Sequence, residues 1–179
     1  MTQISYKESL TLVMEHFARD PLARFVGYGL LNGRGGCGTM KNIPNEKIVE
    51  MIVAENMMVG VAHGLALSGL RPLVYFERAD FIAEGLSAIA NHLDCAREIS
   101  RGEFNPCVII RATIGNSRKP LFTGPTHTSN PTQALKHLLR MPVYEVKTPD
   151  EVTAAYERAI YEQAEGIGSS FILEQKDLL

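Results

Sequence analysis

The segment 106–113, Pro-Cys-Val-Ile-Ile-Arg-Ala-Thr, limits the fold more than any other part of the chain. It is an unbroken run of apolar residues at its start, rich in β-branched side chains, with no alternation of apolar and polar positions. A strand with one face in water alternates. A strand that does not alternate needs cover on both faces, as in a parallel sheet between helix layers. The rest of the chain supplies such layers. Further strands are predicted at 23–31, 47–53, 71–76, 143–146 and 170–174. Helices are predicted from Ser5 to Pro21 and at 56–68, 80–99, 132–140 and 149–165. Strands alternating with helices of this length predict a three-layer α/β/α sandwich with a mainly parallel sheet. The expectation is one domain, residues 1–179.

Local signals support these boundaries. Ser5 and Glu8 have the spacing of a capping box, and Leu10, Val13 and Phe17 give the first helix an apolar face. Gly69 ends the helix at 56–68. Gly60 and Gly64 lie four apart on that helix, which predicts a flat face in tight contact with another helix. The polar connection at 114–130 is longer than a connection needs, and such loops are often functional.

Composition closes off several function classes. A net charge of −2 gives no reason to expect nucleic acid or an anionic membrane as partner. No apolar run approaches the length of a membrane span, and the N-terminus lacks a signal-peptide layout. Cys37, Cys95 and Cys107 are odd in number and scattered, the pattern of a reduced, cytoplasmic chain. No metal-ligand spacing links the histidines and cysteines. There is no internal repeat, linker or low-complexity stretch.

Chemistry concentrates around Glu55, one carboxylate at the head of an otherwise apolar helix. Ile52, Val53 and Ala54 precede it, and Met57, Met58 and Val59 follow. Desolvation there predicts a raised pKa and a proton donor or acceptor near neutral pH. The competing reading is an acid favoured in a first helical turn by the macrodipole. Gly33–Gly38 satisfies GxGxxG, but a dinucleotide fingerprint needs a helix at the last glycine. Asn42-Ile43-Pro44-Asn45 and a strand follow instead. His127, in the long polar loop, is a candidate proton donor or a surface residue. His16, His63, His92 and His137 read as structural or surface residues.

The sequence from Lys47 to Phe81, KIVEMIVAENMMVGVAHGLALSGLRPLVYFERADF, resembles the pyrimidine-binding domain of thiamine-diphosphate enzymes of the transketolase and 2-oxo acid dehydrogenase E1-beta superfamily. Cys107–Arg111, Gly124-Pro125-Thr126-His127 and Phe171–Lys176 resemble later segments of the same domain, in the same order. The resemblance covers residues 5–179 and implies the thiamine-diphosphate-binding fold. It also implies a role for Glu55: a carboxyl group beside the cofactor's aminopyrimidine shares a proton with the ring nitrogen, and the cofactor carries the bond chemistry. His127 is similar to a histidine that faces substrate. The aminopyrimidine rests on an aromatic ring in the family. Ala79 occupies the matching position here, so Phe76 or Phe81 is expected to take that place unless both are core residues. The Arg111 match establishes no site.

No Gly-Asp-Gly segment and no Asn-Asn pair, the family's diphosphate and Mg2+ ligands, occurs in the sequence. The expectation is therefore a subunit of a split enzyme, without the diphosphate-binding and C-terminal domains. A partner chain of alpha type would hold Mg2+ and the diphosphate, in a homodimer or heterotetramer. Substrates implied are a 2-oxo acid, as in E1-beta, or a ketose, as in transketolase. The alternative is a non-catalytic partner or scaffold retaining the fold.

Overall fold

The apolar run lies mid-sheet. A computed structural model describes residues 4–32, 35–115 and 124–179. In it β4 (Ile109–Ile114) is buried at every position, between β3 (Arg71–Phe76) and β6 (Ser170–Gln175). With β1 (Ala23–Gly27), β2 (Ile48–Glu50) and β5 (Val143–Val146) they form a sheet ordered β2-β1-β3-β4-β6-β5, parallel throughout. Neighbouring residues on the central strands serve opposite layers, because side chains alternate across a strand. Phe25, Leu73, Ile109 and Ile172 face one layer. Val26, Val74, Ile110 and Phe171 face the other.

The first layer packs α1 (Tyr6–Ala18) beside α6 (Pro149–Ala164). Both helices start on a hydroxyl cap: Ser5 accepts from the Glu8 N–H and Thr148 from the Glu151 N–H, each at 3.2 Å. Leu10, Met14 and Phe17 of α1 join Val152, Tyr156 and Ala159 of α6 in one apolar cluster over the sheet. The second layer holds α2 (Glu55–Leu67), α3 (Ile82–Ser87), α4 (Ala96–Ile99) and α5 (Thr132–Leu138). Among the described residues no helix is long and apolar enough to cross a membrane.

Four expectations are corrected. The strand predicted at 23–31 stops at Gly27, because the Glu50 carboxylate takes the N–H groups of Gly29, Leu30 and Leu31 and bends the chain out of the sheet. The strand predicted at 47–53 ends at Glu50, and Ile52 and Val53 stand in the open. The long helix at 80–99 is broken: a 3-10 turn at Ala79–Phe81, α3, a widened π-turn at Ala88–Leu93, then α4. Ile89 and Leu93 nonetheless stay in the core. Gly60 and Gly64 make no tight contact, since a Cβ at either would meet nothing within 4 Å. That face of α2 is open.

One polar cluster lies inside the apolar layers. Arg111 of β4 and Glu174 of β6 are both fully buried, with Nε 2.7 Å from Oε1. Arg111 Nη2 also donates to Glu174 Oε2 at 2.8 Å and to Thr39 Oγ1 at 2.6 Å. The Tyr156 hydroxyl donates to Glu174 Oε1 at 2.6 Å. The guanidinium lies 5.3 Å from the centre of the Tyr75 ring. Burial opposes the charge on Arg111, but Glu174 outweighs it and holds the arginine above its usual pKa. Burial pushes the Tyr75 hydroxyl up to about 12. Removing one partner strands a buried charge. Arg111→Met or Glu174→Leu alone should cost roughly 3–5 kcal/mol, and the double variant should recover much of that loss. Denaturant melts of the three variants measure it; an additive double variant would show that the pair is not coupled.

Candidate active site at the carboxyl edge of the sheet

Ligands of open parallel sheets bind outside the carboxyl ends of the strands, near a reversal of strand order. Here the chain runs from β1 out to the edge strand β2, then crosses back through α2 to β3 on the far side of β1. Glu55 is the first residue of that crossover helix. The residue before it, Ala54, offers no side-chain cap, and the Glu55 carboxylate has no hydrogen-bond or ion-pair partner among the described residues. It is half-buried. The apolar surroundings expected for it are incomplete: Met58 and Val59 are buried, but Ile52, Val53 and Met57 are 68%, 62% and 53% exposed. A closed apolar pocket around Glu55 therefore needs a cover.

The backbone of Glu55 is held from the side by α3. A Cβ on Gly85 would lie 3.4 Å from the Glu55 carbonyl and 3.3 Å from the Phe76 ring. Glycine thus lets α3 approach both. Phe76 itself is 1% exposed and belongs to the core, so it presents no ring face to a ligand. Ala79 is equally buried, and Tyr75 is engaged by Arg111. Phe81 is the member of the aromatic set that is partly open.

Phe81 meets His127 edge-on, with ring centres 5.3 Å apart and planes at 86°. Thr126 Oγ1 is 3.0 Å from His127 Nδ1, and Nε2 has no partner among the described residues. The segment is tied down behind the histidine, where Asp80 Oδ1 accepts the Ser129 N–H at 3.1 Å. Ala79, Asp80, Phe81 and Thr126 line the mouth of a cleft of about 550 Å³ between α3 and α5, walled by Leu86 and Leu135. Neither Glu55 nor His127 lines it. Sequence reasoning brought Phe81 and His127 forward separately; the fold sets them side by side. It missed Asp80, Gly85 and Gly115. The neighbouring Ala79 and Phe81 point to Asp80. Nothing in the local pattern marks the two glycines, whose role is close backbone approach.

The glycine run turns over the buried arginine. Gly36 and Cys37 have φ of 57° and 56°, and a Cβ on Gly36 would lie 2.6 Å from Arg111 Nη2. Gly33 and Arg34 lie outside the described residues. A short turn and then β2 follow the run, not a helix aimed at a phosphate.

The model of the transketolase pyrimidine-binding domain matches residues 3–179, which includes every one of these positions. The chain belongs to the transketolase pyrimidine-binding domain family. It is 27% identical over 122 residues to the 2-oxoisovalerate dehydrogenase subunit beta of Bacillus subtilis (strain 168), a match covering 64% of this chain and 37% of that protein. To the pyruvate dehydrogenase E1 component subunit beta of Cyanidium caldarium it is 35% identical over 69 residues, covering 38% of this chain and 21% of that one. The chain thus spans well under half the length of these curated relatives. A split-gene transketolase, solved as an inactive beta4 tetramer, superposes with a TM-score of 0.68 at 18% identity, over 97% of this chain and 52% of the other. That likeness shows the fold.

Within this pyrimidine-binding domain the two aromatic candidates should separate by stability. Phe76→Ala opens a core cavity and should cost roughly 3–5 kcal/mol. Phe81→Ala, half-open, should cost less than half as much. Equal losses in denaturant melts would place Phe81 in the core too.

Proposed function

We propose that the chain is the pyrimidine-binding subunit of a split thiamine-diphosphate-dependent enzyme that cleaves or forms a carbon–carbon bond next to a carbonyl. One observation carries the reading: a carboxylate with no partner among the described residues, Glu55, opens the crossover helix at the carboxyl edge of a domain of this family. The residues present fit the aminopyrimidine end of the cofactor. Glu55 is free to hold a proton at a ring nitrogen, and Phe81 offers an open aromatic surface where Ala79 cannot. Bound thiamine diphosphate supplies the nucleophilic carbon and a sink for the negative charge left on the substrate. The chain's part is to hold and move protons. Glu55 exchanges one with the ring nitrogen. His127 presents Nε2 to the substrate while Thr126 occupies Nδ1.

A partner chain of alpha type supplies the diphosphate and Mg2+ ligands. The exposed α2 flank supports this. Ile52, Val53, Met57 and Leu67 are each at least 50% exposed, and Gly60 and Gly64 leave the helix backbone bare. An apolar face of this kind marks an interaction surface. Covering it would also enclose Glu55 and complete the apolar surroundings of its carboxyl group. We place the assembly in the cytoplasm as a homodimer or, with the partner, a heterotetramer. Its substrate is a 2-oxo acid or a ketose. The buried Ala79 in the aromatic position favours a second reading, a scaffold that keeps the fold without the cofactor.

Two measurements separate these. Glu55→Gln keeps size and hydrogen bonding but cannot exchange the proton. In the complex reconstituted with the partner it should slow hydrogen–deuterium exchange at the cofactor's C2 position, and turnover, by roughly a hundred- to ten-thousand-fold. Wild-type exchange would favour the scaffold. Met57→Asp puts a charge on the exposed flank of α2 and should abolish assembly while leaving the melting temperature of the isolated chain nearly unchanged. Light scattering reads the first and circular dichroism the second; unaltered assembly would move the interface elsewhere.

A further inference from the structure

We infer that Gly115 and Asp80 are positioning residues that seat His127 against the substrate; this rests on His127 facing the substrate, as proposed. Gly115 directly follows β4. A Cβ there would overlap the His127 carbonyl oxygen outright and lie 2.6 Å from the carbonyl carbon and 2.7 Å from the Thr128 Cα. The backbone that carries the imidazole rests on the bare Cα of Gly115. Gly115 is not one of the glycines with positive φ, so the requirement is for room and not for a backbone angle.

Asp80 holds the same segment from the other end. Its Oδ1 accepts the Ser129 N–H two residues past the histidine, at 3.1 Å, and Oδ2 is buried with no hydrogen-bond partner among the described residues. Asp80 also stands between Ala79 and Phe81, whose ring meets the imidazole edge-on. Backbone support beneath, a carboxylate clamp behind and a ring at the side together restrict where Nε2 can point. Proton transfer is sensitive to this restriction, since about 1 Å of misplacement costs on the order of a hundredfold in rate. A methyl at position 115 must push the segment away by about that distance, while the sheet beneath, already ended at Ile114, has no reason to change.

The test uses the complex reconstituted with the partner and thiamine diphosphate, with NMR of the isolated chain as a readout apart from activity. Gly115→Ala and Asp80→Leu should each lower kcat by roughly a hundredfold, with KM little changed and with C2 exchange, the task of Glu55, at the wild-type rate. Asp80→Asn still accepts the Ser129 N–H and should keep most of kcat. In the 15N-labelled chain the His127 ring signals should shift in the first two variants and stay in place in Asp80→Asn. Wild-type kcat and ring signals in Gly115→Ala and Asp80→Leu, with His127→Ala inactive, would overturn the positioning. Wild-type kcat in His127→Ala would instead remove the substrate-facing histidine on which the inference rests. Should Gly115→Ala fail to fold, Asp80→Leu set against Asp80→Asn decides the question: equal loss in both overturns it.

Discussion

The buried pair of Arg111 and Glu174 ties the structure together. It joins two adjacent central strands, β4 and β6, in the middle of the sheet. Tyr156 brings α6 to it, and Thr39 and Gly36 bring the glycine run. A guanidinium and a carboxylate with no solvent exposure are costly to bury, and the cost is offset only if both stay paired and hydrogen-bonded. That condition leaves little freedom. The register of β4 on β6, the seat of α6 and the left-handed turn at Gly36 and Cys37 must all be correct together. A pattern of apolar residues alone would tolerate several registers and helix positions. The polar cluster selects one, at the edge where the candidate site lies.

The two helix layers are finished to different degrees. The helices α1 and α6 bury most of their apolar side chains, with hydroxyl caps and buried rings, although Leu12 and Tyr161 stay exposed. α2 does not: the buried residues of that helix are Met58, Val59 and Ala62, while Met57 and Leu67 face outward beside two bare glycines. The unfinished layer is also the one that carries Glu55. Stability and chemistry therefore make opposite demands on the two faces. The first stabilises the domain by itself. The second leaves apolar surface exposed and the Glu55 carboxylate without a partner among the described residues.

Small residues hold the candidate site in place. Gly85 lets α3 reach the backbone of Glu55, and Gly115 lets the His127 segment lie on the end of β4. In both cases the larger group is set by what its neighbour lacks. Side chains such as Glu55 and His127 draw attention because they carry chemistry. Their geometry is decided by contacts between backbones, where a single methyl group is enough to shift a carbonyl.

Most of the layer architecture was legible in the sequence, because apolar periodicity and length separate strands from helices. The non-alternating run at 106–113 required cover on both faces, and both layers are present. Glu55 and His127 stood out as candidates by type and context and Phe81 through the family resemblance, and the family itself was legible. Other features depended on groups distant in sequence. β1 was shorter than its apolar run because Glu50, from the next strand, captures the amides after Gly27. Phe76 proved to be core while Phe81 stayed partly open, a difference set by the packing of α3 and not by residue type. The Gly60–Gly64 face looked like a tight contact, but spacing records only which residues share a face. Arg111 gave no sign of its partner 63 residues later in the chain. Sequence alone determined which layers exist and which residues could do chemistry, since both are local properties. Which groups are paired, buried or left open was decided by the tertiary structure, because burial and close approach depend on residues far away along the chain.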